Sequence, residues 1–141
     1  MTIESALFSY LSTKASVIAV VGTKIFPEVA PESALYPFIT YQVLGDTPEH
    51  HMTSAAGLTN VSMQIDVWAD TFASSVTISE VIRNALDGFT GDMGSENLSI
   101  RTCHLENRLS LAEPDAESEH LPIFRKSMDF LIWHAETVPT L

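Results

Sequence analysis

Five histidines and one cysteine are the residues of this 141-residue chain with the most evident chemistry, because imidazole nitrogen and thiolate sulfur together suit zinc. Their spacing argues against a shared ion. His50 and His51 are adjacent, so in an extended backbone their side chains diverge, and Cys103 and His104 point to opposite faces of a regular strand. His120 and His134 stand alone in the sequence. The reading is surface histidines and one packed thiol, with no metal and no cofactor. Acidic residues alternate at Glu113, Asp115, Glu117 and Glu119 around Pro114, but a calcium loop needs regularly spaced oxygen ligands and a glycine at its turn. The stretch from Ala112 to His120 is therefore read as a solvated loop. Serine, histidine and aspartate are all present, yet neither a GxSxG elbow nor a GxxxxGK[ST] phosphate loop occurs, and GDMG at 91–94 is a flexible connector. No catalytic constellation emerges, and the expectation is a protein that is not an enzyme.

Charge narrows the partners. Seven lysines and arginines against 18 aspartates and glutamates give a net charge of -11, which opposes wrapping on nucleic acid or adhering to an anionic membrane. One cysteine cannot form an internal disulfide, Glu4 stands where a secretory leader would carry lysines, and no apolar run is long enough to cross a bilayer. A chain made and kept in a reducing cytoplasm is expected. With 45% hydrophobic residues, its length suits one buried core, so residues 1–141 are read as a single domain.

The elements that must position any functional residue are organised around 58–88. From Val61 the odd positions are Val61, Met63, Ile65, Val67 and Ala69, while Ser62, Gln64 and Asp66 alternate with them and Trp68 breaks the polar series. This is a strand with one dry face. Asp70 or Thr71 then caps a helix in which Ile78, Val81, Ile82, Ala85 and Leu86 share one side, and Gly88 closes it. Four large aliphatics on that side are worth about 6 to 12 kcal/mol gross when buried, so this unit is core. Upstream, Thr2 caps a first helix with Ile3, Ala6, Leu7, Tyr10 and Leu11 on its apolar face. A short helical turn from Ser16 to Gly22 and a brief extended segment at Ile25 and Phe26 follow. The proline-bearing stretch from Val29 to Pro37 is a stiff connection, and Phe38 to Leu44 is a strand with Ile39, Tyr41 and Val43 on one face.

The segment 45–57, GDTPEHHMTSAAG, reads as a long flexible polar loop. Residues 89–97 are a Gly-rich connector. Leu98 to Leu111 is strand-like with a change of phase between Ile100 and Cys103, which predicts a bulge near Thr102. Pro122 to His134 is a last strand with Phe124, Met128, Phe130 and Ile132 on one face and Leu131 and Trp133 on the other, a pattern of burial or subunit contact. Residues 135–141 form a short tail. The expected class is α+β: a single, mainly antiparallel sheet of about four to five strands packed against an N-terminal helix and a central helix.

The order of these features resembles the tail-completion or tail-terminator proteins of long-tailed bacteriophages and phage-like gene transfer particles. The likeness is carried by the N-terminal helix, VVGTKIFP at 20–27, YPFITYQV at 36–43, VSMQIDVWADT at 61–71, LDG at 86–88 and FRKSMDFLIW at 124–133. It covers nearly the whole chain. Members usually carry an arginine where this chain has Lys24. The resemblance implies a non-enzymatic virion subunit, made in the bacterial host cytoplasm, whose homohexameric ring ends the tail tube and joins it to the head-side connector or stopper protein. On that reading the loop residues Pro48, Glu49, His50, His51 and Met52 bind the tube or connector. Glu113, Asp115, Glu117 and Glu119 face a central channel and repel phosphates, so that DNA passes without specific binding. Competing readings are a head-side neck stopper or adaptor, which would be mostly helical, and a non-viral small-ligand binding module built on the sheet and the His50/His51 loop.

Overall fold

The computed structural model of the chain describes residues 2–50, 52, 55–113 and 122–138. Thr2 opens α1 (Ile3–Thr13) as a capping box: its hydroxyl accepts from the Ser5 N–H, and the Ser5 hydroxyl reciprocates at the Thr2 backbone. α2 (Ala15–Val21) follows almost without a break and ends at Gly22, whose φ of 62° no β-branched residue would tolerate cheaply. β1 (Ile25–Pro27) then pairs parallel to β2 (Phe38–His50). β3 (Ala55–Ala69) leads into α3 (Phe72–Leu86), capped by the Thr71 hydroxyl accepting from the Ser74 N–H at 3.2 Å. β4 (Gly91–Met93), β5 (Leu98–Glu113) and β6 (Ile123–Ala135) complete the chain. The described residues thus form one mixed sheet of six strands in the order β1-β2-β3-β6-β5-β4, where four to five were expected.

Three differences from the sequence reading have physical causes. Most of 45–57 is strand: β2 continues to His50 and β3 begins at Ala55, with Asp46 opposite Val61 and Pro48 opposite Thr59. Every described residue of β2 from Leu44 onward is exposed, so this arm has no dry face and leaves no alternation to read. The backbone ladder and a side-chain bond from the Thr59 hydroxyl to Asp46 hold it instead. Pro48, which cannot donate to a ladder, sits beside a register shift between Pro48 and His50, where a missing N–H is tolerated. Second, the Gly-rich connector 89–97 contains β4, too short to show periodicity. Third, Ala112 and Glu113 belong to β5 and not to a loop, while the remainder of the expected acidic loop, 114–120, lies outside the described residues. Of the expected tail, Ala135 is strand and 136–138 have no regular structure.

The core lies between one face of the sheet and the three helices. Val61, Met63, Ile65, Val67 and Ala69 are all fully buried there, together with Met128, Phe130 and Ile132 of β6 and Leu7, Leu11, Ile78, Ile82 and Leu86 of the helices. The phase change in β5 is a register shift between Ile100 and Thr102, and a second follows between Leu105 and Asn107. The first keeps Ile100 and Cys103 on the same buried side despite their odd separation. Gly94 brings the β4 turn against α1: a Cβ there would lie 2.8 Å from the Ala6 carbonyl oxygen.

Candidate interaction surfaces

Among the described residues no helix covers the second face of the sheet, and the even positions of β3 define it. Register places side chains of four strands in level rows across it. One row runs Phe38, Trp68, Arg125, Leu111, and the next runs Thr40, Asp66, Ser127, Leu109. At its centre Arg125 Nη2 donates to Asp66 Oδ2 at 3.1 Å while its guanidinium lies 4.8 Å from the centroid of the Trp68 ring. Gln64 Nε2 donates to both Asp66 oxygens at 3.1 and 2.9 Å, and Trp68 Nε1 donates to Thr40 Oγ1 at 3.1 Å. Asp66 is buried even though its face carries no helix, because these neighbours close over it. A carboxylate with so little water needs the guanidinium beside it.

Toward the β1 edge the same row becomes aromatic. Phe38 stacks on Trp68 with centroids 6.0 Å apart, Tyr36 stacks on Phe38 at 5.2 Å, and Phe26 meets Phe38 edge-on at 6.0 Å. Beside them is a hollow of about 300 Å³ lined by Glu28, Val29, Ala30, Tyr36, Phe38, Thr40 and Trp68. Glu28 holds the rim in place: its backbone, at a φ of 59°, donates to the Tyr41 carbonyl at 2.8 Å. The opposite edge of this face carries Leu109 and Leu111, both exposed. Sequence reading missed the whole row. Its one sign was Trp68, the residue that broke the polar series of β3.

The two edges of the sheet are stepped. β1 pairs with β2 only at Ile39, Thr40 and Tyr41, and β4 pairs with β5 only from Leu98 to Ile100. Through the register, β1 stands level with Arg108 to Ser110 of β5, whereas β4 stands level with the arm of β2 near Pro48. Among the described residues each edge therefore has a short strand covering one end and a bare ladder at the other, at opposite heights. Bare ladder edges are templates for pairing with another chain.

The residues named from sequence divide accordingly. Pro48, Glu49 and His50 are exposed along the end of β2, and Met52 is exposed beyond it, while His51 lies outside the described residues. Glu113 is the last residue of β5, opposite Ile123, and Asp115, Glu117 and Glu119 lie outside the described residues, as does His120. Cys103 is buried and His104 exposed, on opposite faces as expected. Burial, and then the negative charge of Asp87, push the Cys103 thiol up to about 12, so it is no nucleophile at neutral pH. His134 is buried on the helix side, with Nδ1 2.8 Å from the Ala135 carbonyl. Tyr41 has its phenol pushed above the usual range by burial and secondarily by Glu4. Among the described residues no three histidines, cysteines or acids lie close enough to hold a metal ion, and no helix is long and apolar enough to cross a membrane.

This architecture has relatives. A chain in the virion of a native gene transfer agent particle superposes with a TM-score of 0.66 over 94% of each chain, at 17% sequence identity, and so shares the fold. No curated protein matches the sequence. The family model described as tail completion protein gp17 matches residues 5–134, which spans β1 through the penultimate residue of β6 as well as the helices, and the chain belongs to that family.

Proposed function

We propose that this chain is a structural virion subunit whose copies close into a ring, with six members, at the head-proximal end of a tail tube, ending the tail and joining it to the head-side connector. The observation that carries the reading is the pair of stepped sheet edges. Because the short strand on each edge stands level with the bare ladder on the other, the two edges complement one another head to tail, and a head-to-tail contact that closes yields a ring. In such a ring β4 of one copy lies beside the bare upper part of the next copy's β2, and β1 of that copy fills the bare lower part of β5.

The exposed hairpin arm, with Pro48, Glu49, His50 and Met52 near its end, is then the element that engages the tube or connector, His51 of the same segment taking part. Glu113, Asp115, Glu117 and Glu119, multiplied by the number of copies, line the passage and keep DNA from adhering; the net charge of -11 per chain supports this. The six-stranded sheet weighs against a mainly helical neck adaptor. Mixing the purified chain with assembled tail tubes and viewing them by electron microscopy tests the reading. Closed rings seated on one end of each tube are expected, and tubes left uncapped, or chains decorating the tube wall, would overturn it.

A further inference from the structure

Leu109 and Leu111 are a pair of large apolar side chains left exposed at one edge of the helix-free face, 51% and 40% accessible. At the other edge of the same face is the aromatic hollow, with Val29 on its rim 80% accessible. Neither feature helps the isolated chain. Their heights, however, agree: Leu111 shares its cross-strand row with Trp68 and Phe38, and Leu109 shares the adjacent row with Asp66 and Thr40. A closed ring has no rise per subunit, so with strands running along the ring axis a patch on one edge meets only what stands at its own height on the other.

Building on the ring reading, we infer that Leu109 and Leu111 of each copy seat in the hollow formed by Val29, Ala30, Tyr36, Phe38 and Trp68 of the next copy. The occupant is a second copy of this chain for three reasons. Both surfaces are apolar, both lie on one face, and the step in each edge leaves room at this height. β1, which borders the hollow, is level with Arg108 to Ser110, where β5 has no outer partner among the described residues. Two leucines and an aromatic wall suit each other by removal from water, with the Glu28 carboxylate at the rim and the Arg125 guanidinium, already paired with Asp66, beside Trp68.

The test uses two full-length variants, one carrying Leu109→Asp and Leu111→Asp, the other Val29→Asp and Ala30→Asp. Circular dichroism melts serve to confirm that both fold. Native mass spectrometry and sedimentation are then read on each alone, on their mixture, and on wild type with and without tail tubes. Each variant alone is expected to remain monomeric, its self-association weakened about a hundredfold or more. The mixture is expected to give one-to-one dimers and nothing larger, because one variant keeps an intact hollow and the other intact leucines. Rings from either variant alone, or a mixture that stays monomeric, overturn this contact while leaving the ring itself standing. Variants that form rings but no longer cap tubes would assign the hollow to the tube protein instead. Wild type that never closes a ring removes the ring reading and this contact together.

Discussion

Replacing Arg125 with methionine isolates the interaction on which the helix-free face depends. The substitution keeps an unbranched stem over Trp68 but removes the guanidinium, leaving Asp66 with Gln64 as its side-chain donor among the described residues. Removing one partner of a buried pair costs about 3 to 5 kcal/mol because the other charge is left uncompensated. Here the Asp66 side chain is 8% accessible and that of Arg125 22%, so water and Gln64 recover part of the loss. Loss of the cation over the Trp68 ring adds about 0.5 to 1 kcal/mol. The expected destabilisation is about 3 kcal/mol, a fall in the urea midpoint of roughly 1 to 3 M. Asp66→Asn removes the buried charge, so the double variant is expected to be less destabilised than the sum of the single ones by about 1.5 to 3 kcal/mol. Urea unfolding followed by tryptophan fluorescence measures all three. A loss below about 0.5 kcal/mol for Arg125→Met, or strict additivity in the cycle, would refute the claim that the pair organises this face.

The remaining predictions probe separate elements. Gly94→Ala places a Cβ 2.8 Å from the Ala6 carbonyl and forces an L side chain to a φ of 77°, so thermal melting should register a loss of about 2 to 4 kcal/mol. An unchanged melt would mean that α1 is not seated on this turn. Cys103 should resist iodoacetamide at pH 8 in the folded chain and react on addition of denaturant; rapid labelling of native protein contradicts its burial. Its titration also has a sign. The unfolded thiol releases its proton near its ordinary 9.0 and the folded one near 12, so its contribution is complete below the first value and lost as pH climbs toward the second. Deleting residues 48–55 should leave a cooperative fold but abolish joining of tails, and joining that survives reduces the arm to a connection. Reversing the charges of Glu113, Asp115, Glu117 and Glu119 should impair genome transit with rings intact; normal transit would remove the channel role.

What the sequence made legible was whatever a dry face imposes on it. The odd positions of β3 had to be apolar because α3 and its neighbours cover them, and all five are fully buried. The Thr71 cap and the bulge beside Thr102 were readable for the same reason, since a cap marks where an apolar stripe begins and a bulge marks where it changes phase. The arm was not, because its β2 half is exposed on both faces and carries no alternation. β1 was read as a brief extended segment at Ile25 and Phe26 but β4 was too short to show a period, and the parallel pairing of β1 with β2 depends on the path of the connection 28–37, which has no pattern to read. The Asp66 and Arg125 pair joins residues 59 positions apart, and only strand register brings them together. Nothing local to either residue specifies the other.

The distribution of side chains on the helix-free face constrains what can cover it. A sheet face buried against another sheet would be apolar at its centre, and one meant for water throughout would be polar to its edges. This face is mixed: Gln64, Asp66, Ser127 and Arg125 occupy the middle beside the half-buried Trp68, Leu131 and Trp133, while Tyr36, Phe38 and Val29 border one edge and Leu109 and Leu111 the other. The exposed apolar side chains Val29, Leu109 and Leu111 lie at the lateral boundaries. Joining copies along those boundaries covers them and leaves the cluster of Gln64, Asp66, Ser127 and Arg125 facing away from the helices. Were that face to line the passage of the proposed ring, the Asp66 and Arg125 pair would give the wall a fixed polar centre.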